Sequence, residues 1–224
     1  MNSGYSQRSR YTWVWRGTAV IRVLLVHDIC LFRWALTEVL DRENDIEVAA
    51  ASTRDAAERA RATRPDVCVV DAESPEPNGT GILRKLAKLA KAKGPVKSPA
   101  LLVLGSAHRP GPLRRAFEAD ALGYVDKEAS PVQLTTGIRQ VAAGKRFIDG
   151  SLGFGFLQAA DIPLTRRELS VLSLAAEGSS VSEIAGVLHL STGTVRNYMS
   201  AITRKTGARN RVDAIRISRG EGWL

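Results

Sequence analysis

Between residues 21 and about 144 the chain alternates two patterns of apolar positions. Short β-branched or apolar runs stand at "IRVLLV" (21–26), "IEVAA" (46–50), "VCVV" (67–70), "ALLVL" (100–104) and "LGYV" (122–125). Stretches of helical length lie between and after them, with apolar residues on one side. In the first, Phe32, Ala35, Leu36 and Val39 recur at i, i+3, i+4 and i+7. In the last, Leu134, Ile138 and Val141 recur at i, i+4 and i+7. Strands alternating with helices predict a parallel sheet covered on both faces. Five such units predict a doubly wound α/β domain with a five-stranded parallel sheet over residues 21–144. Its ligands should sit at the carboxyl ends of the strands.

From residue 164 the pattern is helical throughout, and an all-α domain is predicted over 164–224. Thr165 with Glu168, and Ser180 with Glu183, have capping-box spacing. Gly178 is placed to stop the first helix. Val181, Ile184, Ala185 and Leu188 make the apolar face of the second. Ser191 is placed to cap the third helix and Asn210 the fourth, with Val212 and Ile215 buried. Four short helices joined by tight turns fit a small DNA-binding module. Between the domains, "KRFIDGSLGFGFLQAADIP" (145–163) breaks the pattern with glycines and a proline, and a linker is expected there. Its glycines do not follow the dinucleotide-binding fingerprint, and no P-loop occurs in the chain. Residues 1–20 form a basic N-terminal extension, expected to be disordered.

Composition narrows the class. With 44% hydrophobic and 25% charged residues among 224, the chain suits soluble globular domains. No apolar run approaches the ~20 residues of a membrane span, and the N-terminus lacks the apolar core of a secretory signal. Two cysteines, Cys30 and Cys68, make neither a disulfide framework nor a zinc cluster. A cytoplasmic protein is expected. The net charge of +9 favours polyanionic partners. It is spread out: residues 1–20 hold three arginines and no acid, and residues 161–224 hold nine basic residues against six acidic ones. Charge alone permits DNA binding without locating it.

Three polar residues stand where the predicted sheet would place a site. Asp28 follows the first strand, Asp71 ends the third, and Lys127 follows the fifth. An aspartate there can attack a phosphoryl group to give an acyl phosphate. A carboxylate-held Mg2+ would neutralise phosphate oxygens, and lysine supplies a mobile positive charge. Pro75 and Gly79 would shape the loop after Asp71. In the third C-terminal helix, Val195, Met199 and Ile202 form a buried stripe, and Arg196, Asn197, Ser200 and Arg204 face the other way. Arginine forks onto guanine and asparagine onto adenine in the major groove. Ser191, Thr192 and Thr194 at the helix start suit phosphate contacts, joined by Lys205, Arg209 and Arg211.

These residues carry a resemblance. Residues 21–144 resemble a response-regulator receiver domain, and "ALGYVDKEASPVQLTTGIRQVAAGKRF" is similar to the fifth strand and helix of the NarL/FixJ subfamily. The segment "LTRRELSVLSLAAEGSSVSEIAGVLHLSTGTVRNYMSAITRKTGARNRVDAI" resembles the LuxR-type helix-turn-helix over its whole length. The end, "NRVDAIRISRGEGWL", resembles the DesR-like subgroup, and the whole chain is similar to AmfR/RamR-type regulators of aerial mycelium. The resemblance implies a dimeric transcription regulator of double-stranded DNA, with a sensor histidine kinase as a possible partner. It implies Asp71 as phosphoacceptor, Lys127 as phosphate contact and Tyr124 as an aromatic that turns inward on activation. It also implies Arg196, Asn197 and Ser200 facing bases, with Thr194 and Lys205 on the backbone. Tyr198, where the family usually has histidine, is expected to serve packing.

Two positions depart from the family. His27 stands where the first of two acids is usual, which weakens a Mg2+ site held by Asp28 and Asp71. Gly105 stands where Thr or Ser bonds the phosphoryl oxygen, and Ser106, which follows it, is the candidate substitute. Alternatives therefore stay open: a pseudo-receiver regulator controlled by a ligand, a partner or abundance; a phosphate-handling α/β enzyme; and a protein-binding scaffold. His189, in the turn before the third helix, carries no assignment.

Overall fold

A computed structural model of the chain describes residues 20–73, 81–91 and 99–224. Pro75, Gly79 and the extension up to residue 19 lie outside the described residues. The first domain is built from β1 (Ile21–Val26), α1 (Cys30–Leu40), β2 (Ile46–Ala51), α2 (Ala56–Thr63), β3 (Val67–Asp71), α3 (Ile82–Lys91), β4 (Ala100–Gly105), α4 (Pro110–Glu118), β5 (Gly123–Asp126) and α5 (Pro131–Ala142). The strands pair in parallel in the order β2-β1-β3-β4-β5, and a sixth, two-residue strand, β6 (Phe147–Ile148), adds to the edge beside β5. The sheet thus has one strand more than the five predicted.

The central strands are apolar on both faces because helices cover both. Leu24, Val26, Cys68, Val70, Leu101 and Val103 point to one side, into a core with α2, α3 and α4. Val23, Leu25, Val67, Val69, Leu102 and Leu104 point to the other, against α1 and α5. Leu134, Ile138 and Val141 are buried as their spacing predicts. Phe32 and Ala35 are not: Phe32 is 57% exposed, Ile29, Leu31 and Trp34 are exposed to a similar or greater extent, and α1 docks through Leu36 and Leu40 instead. Helical spacing fixes a stripe but not which part of it meets the sheet.

The segment between the domains carries structure of its own. After β6 come a turn of 3-10 helix (Gly150–Leu152) and α6 (Gly153–Ala160), which packs along α4. Glycine makes that packing close. A side-chain carbon on Gly155 would meet the Ala107 carbonyl oxygen at 2.7 Å and Leu113 at 2.8 Å. The second domain comprises α7 (Arg166–Ala176), α8 (Val181–Leu188), α9 (Thr192–Thr206) and α10 (Arg211–Gly220). Both capping boxes form, Ser191 caps α9 and Asn210 caps α10. Gly178 leaves α7 at φ +94°. Within α10 Asp213, Ala214 and Ser218 are buried and Ile215 packs half-buried against the core, whereas Val212 is 74% exposed rather than buried. Among the described residues no helix is long and apolar enough to cross a membrane.

Because α6 meets α4 through a glycine, Gly155→Leu should lower stability by about 1–3 kcal/mol through overpacking. Urea unfolding of the full chain checks this; an unchanged midpoint would show that α6 does not need the close approach.

Candidate switch site and nucleic-acid interface

The parallel sheet brings the ends of β1, β3 and β5 to one edge, and with them His27, Asp71 and Lys127. Asp71 is 7% exposed. Leaving a carboxylate uncompensated at that depth costs several kcal/mol, so its partners matter. Lys127 Nζ lies 2.7 Å from Asp71 Oδ1, which also accepts the Glu73 amide at 2.9 Å. His27 Nε2 lies 3.3 Å from Asp71 Oδ2. On its other side, His27 Nδ1 accepts the Ile29 amide at 3.1 Å, which leaves the ring proton of the neutral form on Nε2, facing Asp71. The ring stacks on Phe32 with centroids 5.6 Å apart. Burial lowers the His27 pKa below 6.5; nearby Asp71 opposes that shift and Lys127 reinforces it.

Asp28 turns to the β2–α2 loop. Its Oδ1 accepts both the Thr53 amide and the Thr53 hydroxyl at 2.8 Å, and Oδ2 lies 2.9 Å from the same hydroxyl. This donor set does not fit Mg2+. The ion prefers oxygen ligands, whereas the place of one acid is taken by an imidazole that directs an N–H at Asp71, and Thr53 donates its amide and its one hydroxyl proton to the Asp28 carboxylate.

The β4 end is equally particular. A side-chain carbon on Gly105 would come within 2.8 Å of Leu113 Cδ2. Leu113 is fully buried, so the space a Thr or Ser side chain would need is filled by α4. Ser106 lies in the turn after β4, partly exposed, and its carbonyl accepts the Arg109 amide. Tyr124 is already inward, 2% exposed, its ring edge-on to Phe156 of α6 at 4.9 Å. Burial pushes its phenol up to about 12, and the hydroxyl has no hydrogen-bond partner among the described residues.

Sequence reasoning missed Glu73 and Arg109. Glu73 sits 3.2 Å from Lys127 and 3.5 Å from Arg109, and Arg109 in turn donates to the Leu224 carbonyl oxygen at 2.7 Å. The site edge is therefore linked by charged contacts to the end of the chain. Only the acidic side chain two residues past Asp71 hints at this in the sequence.

In the second domain, α9 buries Val195 and Ile202 and half-buries Met199. Arg196, Asn197, Ser200 and Arg204 are exposed together. Thr192 is exposed at the helix start, while the Thr194 hydroxyl lies 2.8 Å from Ser191 Oγ. Tyr198 packs against the domain core. Lys205 pairs with Glu168 at 2.8 Å, and Arg211 donates to the Ala175 and Ser179 carbonyls at 2.9 and 2.7 Å, closing the end of α7. Arg209 contacts Asp213 at 3.3 Å with its side chain largely exposed. The outward donors are thus concentrated on α9, and the flanking cations also hold the domain together.

Comparison with known proteins agrees with this arrangement. Residues 23–139 match the response regulator receiver domain, and residues 162–218 match the bacterial regulatory proteins of the luxR family. The chain belongs to the response regulators. This regulator is 46% identical over 208 residues to the response regulator RamR of Streptomyces coelicolor, covering 91% of this chain and 98% of RamR. It is 35% identical to the transcriptional regulatory protein DesR of Bacillus subtilis, over 92% of this chain and all of DesR. The response regulator ChrA of a heme-sensing two-component system matches at TM-score 0.53 and 27% identity, over 92% of this chain and 100% of that one. RcsB of Salmonella typhimurium shares the fold at TM-score 0.67 and 23% identity, over 90% of this chain and 98% of that one. The regulator is a DNA-binding transcription regulator, not an enzyme.

A pH dependence follows from His27. The fold favours its neutral form, so the unfolded chain binds more protons as pH falls below 6.5, and stability falls with it. The contribution is fully present above 6.5 and is lost as pH drops through the lowered folded value. Urea stability at pH 7.5 and 5.5 should therefore fall more for wild type than for His27→Gln; equal falls would place the dependence elsewhere.

Proposed function

We propose that the regulator binds double-stranded DNA in the cytoplasm as a homodimer, and that its receiver operates without phosphoryl transfer. The observation that carries the second part is His27 beside Asp71. The histidine faces one carboxylate oxygen and Lys127 holds the other. Asp28 is committed to Thr53, and Gly105 offers no hydroxyl of its own to bond a phosphoryl oxygen. In this reading Asp71 is a fixed anion that ties three strand ends together rather than a phosphoacceptor, Mg2+ has no part in the switch, and no kinase is needed.

The exposed face of α9 supports DNA reading. Arg196, Asn197 and Ser200 face bases, with Thr192, Thr194, Lys205, Arg209 and Arg211 nearest the phosphates. Lys205 and Arg211 reach DNA only with donors left over from Glu168 and the α7 carbonyls. The homodimer is supported by the structure of two RcsB dimers bound to two parallel DNAs, a protein of the same fold. Dimeric binding implies two half-sites about one helical turn apart, or a multiple of it.

Two experiments test the reading. DNA affinity of the full chain, titrated with and without beryllofluoride plus Mg2+, should be unchanged by the mimic in wild type and in Asp71→Asn alike. Tighter binding with the phosphoryl mimic, abolished by Asp71→Asn, would restore Asp71 as phosphoacceptor. Separately, Arg196→Ala should cost about 1–3 kcal/mol and relax preference at one base step. A footprint with unchanged sequence preference would remove Arg196 from the base-reading set.

A further inference from the structure

Between the two domains lies a cleft of about 660 Å3, within the range of small-molecule sites. Its receiver wall is made by α3 and α4 and its other wall by α7 and the end of α10. At one end it reaches Ala72 and Glu73, next to Asp71.

The walls are held at a set spacing. Arg114 of α4 donates to the Ile162 and Leu164 carbonyls at 3.2 and 3.1 Å. Arg166 pairs with Glu118 at 3.0 Å. The Gly111 amide donates to the Gly222 carbonyl at 3.0 Å. This last contact is main chain against main chain: a side-chain carbon on Gly111 would fall on the Trp223 carbonyl oxygen, and one on Gly222 would meet the His108 carbonyl oxygen at 2.6 Å. Such a cleft is largely preformed.

The chemistry of its lining is two-sided. Seven lysine and arginine side chains line it against three glutamates. Two of those glutamates are already shared between two cations each, Glu73 by Lys127 and Arg109, and Glu118 by Arg114 and Arg166. Basic side chains therefore outnumber acidic ones along the lining. Lys88, on the rim, makes no ion pair among the described residues. Among the charges lie the apolar edges of Leu83, Ala87 and Leu169, each largely buried, and the half-buried Ala176, with Ser173 on α7. A cleft of this composition matches an apolar body carrying a negative group; a bare anion would leave the apolar edges wet, and a neutral hydrocarbon would desolvate the arginines without compensation.

We propose that this interdomain cleft binds a small organic anion, an apolar body bearing a carboxylate, sulfonate or phosphate. Both walls contribute contacts, so an occupant binds the packed arrangement of the domains better than a separated one and shifts the population toward it. The inference supplies an input for a receiver that works without phosphoryl transfer, but it rests on the cleft alone: an Asp71 that proved to be a phosphoacceptor would leave it standing.

The test uses 1-anilinonaphthalene-8-sulfonate as probe, titrated into the full chain and followed by fluorescence and calorimetry. Inorganic phosphate and the neutral 1-anilinonaphthalene serve as the anion and the apolar body alone. One saturable site per chain is expected, with each half-probe at least about tenfold weaker. Ser173→Trp, which fills the cleft from α7, should weaken the probe by about tenfold or more, and Lys88→Glu, which adds no bulk to the walls, by about threefold. Leu31→Glu, at an exposed apolar residue of α1, should leave binding unchanged. The proposal is overturned if no saturable binding occurs, if Leu31→Glu abolishes it, or if neither cleft variant weakens it. Lys88→Glu keeps the test decisive if Ser173→Trp fails to fold.

Discussion

The buried carboxylate of Asp71 is the constraint around which the receiver is arranged. Three parallel strands end at one edge, and an anion sits there almost out of reach of water. It persists because Lys127 meets one oxygen at 2.7 Å and His27 faces the other at 3.3 Å. These contacts come from the ends of β5 and β1, so compensating one charge also fixes where three strands stop. A second carboxylate in place of His27 would bring repulsion, which a dication would have to offset. The imidazole relieves that repulsion with no ion. One substitution thus changes the electrostatic logic of the pocket, while the strands that frame it stay as they are.

A second theme is the use of absent side chains to bring the domains together. Gly105 makes room for Leu113, and Gly155 closes on the same leucine from α6. Leu113 is therefore enclosed between the receiver sheet and the interdomain helix. Tyr124 and Phe156 meet edge-on nearby. The receiver and the segment after it share one apolar core, which is why residues 145–163 are folded along α4.

The fold was readable in the sequence wherever periodicity and caps act locally. The strand runs, the capping boxes at Thr165 and Ser180, and the buried stripe of α9 are written in spacing alone. What spacing did not carry is tertiary. Residues 153–160 hold two glycines, which disfavour a helix in isolation, and α6 exists because Gly155 finds α4. Phe32 and Val212 sit at apolar helical positions yet face outward, since period does not say which part of a face is covered. At the site, His27, Asp28, Asp71 and Lys127 were identifiable as residues near one edge. That Asp28 bonds Thr53, that Glu73 bridges Lys127 to Arg109, and that Arg211 closes α7 depend on loop paths and domain docking, and no motif records those.

The contact of Gly111 with the Gly222–Trp223 backbone has an evolutionary consequence. Both surfaces are peptide groups, the part of a protein that every residue shares. No substitution there can improve the fit by trimming atoms, because none is smaller than glycine. Variation at these two positions can act only as a wedge. The docking of the C-terminal residues on α4 is therefore a feature that mutation can abolish in one step, but can be tuned only from neighbours such as Arg109.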